Sequence, residues 1–189
     1  MTDPLALLTA DRERARALED PCAGLCTLAN VDAAGHPDAR TLVLREMTGR
    51  LAIFVNATSP KFPELVRVSA VVWLPSLNVQ YRLRATTSPV PQDQVAESWQ
   101  FRPEAPKRMD WLYALRQPQS SAIADRQTLL EALAALSLPE PLVAPDSAQG
   151  LYLEVTEVDR LDLNQANGVH DRRRYQLAEG QWQESVLVP

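Results

Sequence analysis

The sequence predicts a mainly β protein with a few inserted helices, most simply a small antiparallel barrel. Three observations predict it. Short apolar segments separated by turn residues fill residues 23–56 and again 151–188. The links between those segments are short, as in a meander. Helical periodicity is confined to residues 4–19 and to an insertion at about 91–137. Six or seven strands with a few helices, in one chain of 189 residues, favour a single barrel domain over a parallel sheet.

Taken in order, residues 4–19 place Leu5, Leu8, Ala15 and Leu18 among many charges, an amphipathic helix. Residues 23–31 read as a strand, and DAAGHPD, residues 32–38, as a turn. Residues 39–46 form a second strand, and 51–56 a third after the turn at Met47–Arg50. In TSPKFPELVRV, Ser59 can cap a short helix with Pro60 at its first position. Residues 69–74 are an apolar strand. In 78–86, Asn78, Gln80, Arg82 and Arg84 share one face, and Val79, Tyr81, Leu83 and Ala85 the other. Helices follow over 91–101, 107–116 and 121–137, with prolines at 103, 106 and 118 as breaks. Strands return at 151–158, a short DRLDL, 169–177 and 182–188.

Composition narrows the function. A net charge of −5 does not suit a bulk nucleic-acid binder. No apolar run approaches the roughly 20 residues of a bilayer span, and the N-terminus carries no secretory pattern. Cys22 and Cys26 lie four residues apart, about 13 Å along a strand, too far for a disulfide. They read as reduced thiols of a cytoplasmic protein. With only His36 and His170 beside them, no metal site is expected. Nucleotide-fold and hydrolase signatures are missing: there is no GxGxxG after a strand, no GxxxxGK[ST] and no GxSxG. Seventeen of the 19 basic residues are Arg, so a Lys within a motif is the more informative cation.

Three constellations carry chemistry. In ARTLVLR, Arg40, Leu42 and Leu44 point one way, and Thr41, Val43 and Arg45 the other. Fourteen residues on come Ser59 and Lys61, a hydroxyl and a cation that can meet a phosphate together with Arg40. An ordinary capping serine beside solvated charges has the same sequence. Gln80 both donates and accepts, which suits a pyrimidine edge, although a solvent-facing strand also carries such residues. His170, Arg172 and Arg174 share a strand face that can meet an anion or serve as a charged edge.

In this order the pieces resemble the pyridoxamine 5'-phosphate oxidase family. The resemblance runs from residue 23 to 189. It takes in P-x-A-R-x-V-L-R near Pro37–Arg45, F-V-N-x-x-S-x-K at Phe54–Lys61 and the strand with Gln80. It continues with Phe101–Pro103, Trp111, Gln119–Ser120, His170–Arg172, Tyr175, Trp182 and a terminal Leu-Val-Pro. It implies an antiparallel split β-barrel of the FMN-binding type, a homodimer with flavin at the interface. Arg40, Ser59 and Lys61 would hold the FMN phosphate. Thr41, Val43, Leu44 and Arg45, with Phe54, Val55 and Gln80, would line the ribityl chain and ring. Gln119, Ser120 and Arg172 would come from the partner subunit.

The departures are as informative. The basic residue expected before Lys61 is Pro60. The positions matching the family's substrate-phosphate cluster are Arg45, Ser98, Arg102 and Pro106, of which Arg102 alone is kept. The arginine expected two residues before His170 is Gly168, and no aromatic residue stands near Leu161. The resemblance therefore implies an FMN-dependent oxidoreductase of a small molecule other than pyridoxamine phosphate. Arg45, Arg102 and His170 would be its substrate contacts, and no catalytic residue is assigned. A genuine pyridoxamine or pyridoxine 5'-phosphate oxidase with a remodelled site, or a non-catalytic flavin- or haem-binding barrel, are the alternatives.

Overall fold

Asp3 accepts a hydrogen bond from the Leu5 amide at 2.9 Å and caps helix α1, Pro4–Ala17, with Pro4 at its first position. The computed structural model describes residues 2–189. Nine strands follow: β1 Leu25–Val31, β2 Pro37–Val43, β3 Arg45–Met47, β4 Arg50–Asn56, β5 Arg67–Leu74, β6 Val79–Pro89, β7 Ala148–Asp162, β8 Asp171–Ala178 and β9 Gln181–Leu187. Helices α2 Gln92–Gln100, α3 Glu104–Leu115 and α4 Arg126–Ala134 lie between β6 and β7.

The chain divides into two compact units. One comprises the chain up to Leu51, Glu64–Thr87 and Leu153–Pro189; the other comprises Ala52–Pro63 and Ser88–Tyr152. In the first, β1 pairs with β2 (Leu28 opposite Arg40) and with β5 (Leu28 opposite Ala70), and β5 pairs with β6 (Val72 opposite Tyr81), all antiparallel. The far part of β7 lies between β6 and β8, and β9 pairs with β8. The expected alternation on β6 holds: Val79, Tyr81, Leu83 and Ala85 are buried, and Arg82 and Arg84 are exposed. Together with Val68, Ala70, Val72 and Leu74 of β5 they form the core, each aliphatic side chain contributing about 1.5–3 kcal/mol by leaving water.

α1 packs differently from its hydrophobic pattern. Leu8 and Ala15 are buried as expected, but Leu18 follows the helix and is exposed. The buried face also carries Asp11 and Arg12. Arg12 donates from Nε to the Ala23 carbonyl at 3.0 Å and from a terminal nitrogen to the Leu44 carbonyl at 2.5 Å. Asp11 accepts from the Tyr81 hydroxyl at 2.6 Å, which in turn accepts from Arg160 Nε at 3.0 Å. Burial and the Asp11 carboxylate push the Tyr81 phenol far above its ordinary range. These bonds offset much of the cost of burying the charges, with Arg12 Nη1 left buried and without a hydrogen-bond partner.

In the second unit, β4 pairs with the first part of β7, Phe54 opposite Gly150. A Cβ at Gly150 would lie 2.9 Å from Val90 and 3.2 Å from the Phe54 ring, so a glycine is required for that approach. α3 begins at Glu104, three residues earlier than expected, because Pro106 falls in the first helical turn, where an amide has no partner to lose. α4 begins at Arg126, not 121, since Asp125 caps it by accepting from the Thr128 amide at 2.7 Å. No helix among the described residues is long and apolar enough to cross a membrane.

Candidate functional site

The candidate residues fall in both units. Arg40, Thr41, Val43, Leu44, Arg45, Gln80, His170 and Arg172 belong to the first; Phe54, Val55, Ser59, Lys61, Arg102, Gln119 and Ser120 belong to the second.

In the first unit, Arg40 lies on β2, where a terminal nitrogen donates to Asn30 Oδ1 at 2.7 Å and pairs with Asp38 at 2.8 Å. Its Nε is buried without a hydrogen-bond partner. Thr41 and Val43 alternate with it and are exposed. The strand expected over 39–46 is broken at Leu44. The Leu44 amide donates to the Gly24 carbonyl, its carbonyl receives Arg12, and its side chain is buried in the core. Arg45 opens β3.

Gln80 stands on the polar face of β6. The Leu163 amide donates to the Asn78 carbonyl at 3.0 Å, and Arg82 and Arg84 reach Asp159 and Glu157 at 3.7 and 3.5 Å. In these pairs each step forward from Asn78 to Arg84 is matched by an equal step back from Leu163 to Glu157, an antiparallel register that sets Gln80 opposite Leu161. Leu161 pairs in turn with Arg172. Gln80, Leu161 and Arg172 thus form one row across three strands. Arg172 donates from Nε and a terminal nitrogen to the two oxygens of Asp159 at 3.2 and 2.8 Å. This fork raises the guanidinium pKa above its ordinary value. Arg174, opposite Asp159 on β8, keeps a buried Nε without a partner. His170 does not share the strand: β8 starts at Asp171, and His170 lies exposed before it.

In the second unit, the helix expected from Ser59 does not form. Residues 57–61 are turns, followed by a three-residue 3-10 turn, Phe62–Glu64. The cause is Pro63, which has no amide to donate to the Ser59 carbonyl, so the Phe62 amide takes that carbonyl in a tighter turn. Ahead of it, Asn56 Oδ1 accepts from the Thr58 amide at 3.0 Å and the Thr58 hydroxyl at 2.7 Å, an Asx turn. Ser59 donates its amide to the Asn56 carbonyl and accepts from the Phe62 amide, both at 3.0 Å. The Thr58 hydroxyl also accepts from the Gln119 amide at 3.1 Å. The structure therefore brings the Ser59–Lys61 turn and the Gln119–Ser120 loop together within one chain. Ser120 adopts a left-handed conformation, φ 70°. Phe54 and Val55 lie half-buried on β4.

Arg102 is already engaged. It pairs with Asp110 at 2.9 Å, and Asp110 accepts as well from Trp99 Nε1 at 2.8 Å and Asn56 Nδ2 at 3.4 Å. Asp110 is buried. Trp99 and Asp110 gave no sequence signal, because the pattern of α2 and α3 marks a core tryptophan and a polar helix face separately. Among the described residues no cluster of His, Cys, Asp and Glu can hold a metal ion. Each unit carries its own set of donors: the second has a hydroxyl and a lysine on one turn, which suit a phosphate, and the first has an amide side chain in a row with an arginine, and a buried Arg40 Nε without a partner.

No family model matches the chain. The pyridoxine/pyridoxamine 5'-phosphate oxidase of Pseudomonas entomophila is 30% identical over 173 residues, which cover 88% of this chain and 79% of that protein. Among solved structures, PhzG from Burkholderia lata 383 in complex with tetrahydrophenazine-1-carboxylic acid superposes over 100% of this chain and 94% of its own, with a TM-score of 0.84 and 21% identity. A pyridoxamine 5'-phosphate oxidase-related, FMN-binding protein from Nostoc punctiforme covers 100% of both chains, with a TM-score of 0.80 and 20% identity. These likenesses bear out the antiparallel split β-barrel expected from the sequence. The chain belongs to the pyridoxine/pyridoxamine 5'-phosphate oxidase family.

Proposed function

We propose that the protein binds FMN as a homodimer and oxidises or reduces a small molecule other than pyridoxamine 5'-phosphate. The observation that carries this reading is the Arg102–Asp110 pair. The one arginine kept from the family's substrate-phosphate cluster is neutralised at 2.9 Å by a buried carboxylate. A second anion at Arg102 would meet a guanidinium whose charge Asp110 already offsets and would lie close to that carboxylate, so its attraction there is weakened. Ser98 and Pro106 replace two further members of that cluster, Arg45 stands at the fourth with a different geometry, and Gly168 stands where another arginine is expected ahead of His170. The Burkholderia lata relative in fold is bound to a carboxylic acid without a phosphate, which is in keeping with such a substrate.

In this reading the second unit supplies Ser59 and Lys61 to the FMN phosphate, with Gln119 and Ser120 beside them, and Phe54 and Val55 to the ribityl chain. The first unit supplies Arg40 to the phosphate, Thr41, Val43 and Arg45 along the same strands, and Gln80 and Arg172 to the ring edge. A bound flavin would supply the redox chemistry; the chain supplies binding, orientation and electrostatics. Asp159 offsets much of the Arg172 charge, so Arg172 acts there chiefly as a held hydrogen-bond donor. His170, exposed ahead of β8, is free to approach a substrate. The names of the curated relatives favour a second reading, a genuine pyridoxine/pyridoxamine 5'-phosphate oxidase with a remodelled site.

An absorbance spectrum of the purified protein, with mass identification of the released ligand, tests FMN. Stopped-flow mixing with pyridoxamine 5'-phosphate then separates the two readings. Negligible flavin reduction is expected, and efficient reduction would establish the second reading instead.

A further inference from the structure

We infer that Thr58 is a positioning residue, whose single hydroxyl locks the Ser59–Lys61 turn to the Gln119–Ser120 loop so that the two act as one cradle. The inference rests on the reading that these two segments hold the flavin. Four groups form a chain through the second unit. Asp110, fixed by Arg102 and Trp99, receives Asn56 Nδ2 at 3.4 Å. Asn56 Oδ1 receives both the amide and the hydroxyl of Thr58, at 3.0 and 2.7 Å. Donating its only proton to Asn56 leaves the Thr58 oxygen its lone pairs, and the Gln119 amide binds there at 3.1 Å.

The direction of this chain matters. Thr58 precedes Ser59 by one residue, so a rotation at Thr58 moves Ser59 and Lys61 directly. The Gln119 amide precedes Ser120, which is held in a left-handed conformation that costs energy for a residue other than glycine. A hydrogen bond to the neighbouring amide helps to keep that geometry. Valine has the shape of threonine and keeps the backbone amide on Asn56, but its side chain can neither donate to Asn56 nor accept from Gln119. Serine can do both.

The test is a set of flavin affinities measured by fluorescence titration, with thermal midpoints of the apo proteins. Thr58→Val is expected to weaken FMN binding roughly five- to twentyfold, about the range of one or two neutral hydrogen bonds. Riboflavin, which lacks the phosphate, should lose less. Thr58→Ser should restore FMN affinity to within about twofold. In a Lys61→Ala background, Thr58→Val should add less than about twofold, because the two act through the same turn. If Lys61→Ala weakens FMN but Thr58→Val does not, the coupling is overturned and the flavin reading stands. If Thr58→Val lowers both flavins and the apo midpoint equally and adds fully to Lys61→Ala, its role is structural and the inference fails. If Lys61→Ala leaves FMN affinity unchanged, the flavin reading falls and the inference with it.

Discussion

Gln80 and Arg172 lie in one row of the sheet, separated by Leu161 alone, although 92 positions separate them in the chain. Two strand spacings put their backbones about 10 Å apart, on the same face. The sequence resemblance assigned Gln80 to one subunit's half of the flavin site and Arg172 to the partner's. Their common row makes them parts of a single surface of one chain.

The first prediction follows from that row. Gln80→Ala should weaken FMN and riboflavin alike, by about five- to tenfold, since its proposed partner is the ring that both share. Arg172→Ala should do the same. Titration of both flavins checks this; a loss confined to FMN would place Gln80 at the phosphate instead.

Lys61 should behave in the opposite way. A lysine on a phosphate makes a charge-assisted bond of roughly 1.5–3 kcal/mol, about a ten- to hundredfold change in affinity. Lys61→Ala should therefore weaken FMN strongly and riboflavin little. The turn at 57–61 provides no α-helical dipole, so the lysine and Ser59 must carry the recognition themselves. Equal FMN affinities for wild type and variant would mean that the phosphate lies elsewhere.

How much of this was legible in the sequence depends on how local the cause is. The alternation of β6 was legible, because every second residue meets the same core whatever the partner strand. The break at Leu44 was not, because it is made by Gly24 and Arg12, at least 20 positions away. The inward-facing Asp11 and Arg12 were hidden for the same reason: a charge on a helix reads as a solvated face until Tyr81 and two distant carbonyls are in place. The Ser59 helix failed locally, since Pro63 has no amide for the Ser59 carbonyl and the Phe62 amide takes it in a tighter turn. The row of Gln80 and Arg172 needed the register of three strands, which no local pattern contains.

The dimer is tested by mass. Light scattering of the flavin-loaded protein should give twice the 21.0 kDa of one chain. A monomer that retains FMN would show that one chain holds the whole site.

Cys26 sets a pH limit on stability. Burial raises its thiol to about 11 from an ordinary 9.0. The folded state thus prefers the neutral thiol, and the stabilisation this represents is present below pH 9 and is lost as pH rises through 11. Near pH 10 the difference from the unfolded thiol is about 1.4 kcal/mol. Denaturant unfolding of wild type and Cys26→Ala should show a gap in stability that narrows by about that amount between pH 8 and pH 10. A constant gap would mean that the buried thiol ionises at its ordinary pH.

Asp110 is buried and meets three side chains of the second unit, Arg102, Trp99 and Asn56, so its removal should be costly in a graded way. Asp110→Ala strands Arg102 without its carboxylate and leaves Trp99 Nε1 and Asn56 Nδ2 without an acceptor, in a place where water does not reach easily. Breaking a buried ion pair from one side costs about 3–5 kcal/mol. Arg102 is partly exposed and recovers some hydration, so the lower end is expected. Asp110→Asn keeps one oxygen for Trp99 or Asn56 and should cost about 1–3 kcal/mol, the penalty of a single unsatisfied group. Either variant should also differ from the wild type at the candidate substrate site. With its carboxylate gone, Arg102 becomes available to an external anion, so Asp110→Asn should gain measurable affinity for inorganic phosphate or pyridoxamine 5'-phosphate that the wild type lacks. Calorimetry against both anions checks this. Equal, weak binding by wild type and Asp110→Asn would mean that Asp110 is not what keeps a phosphate from Arg102.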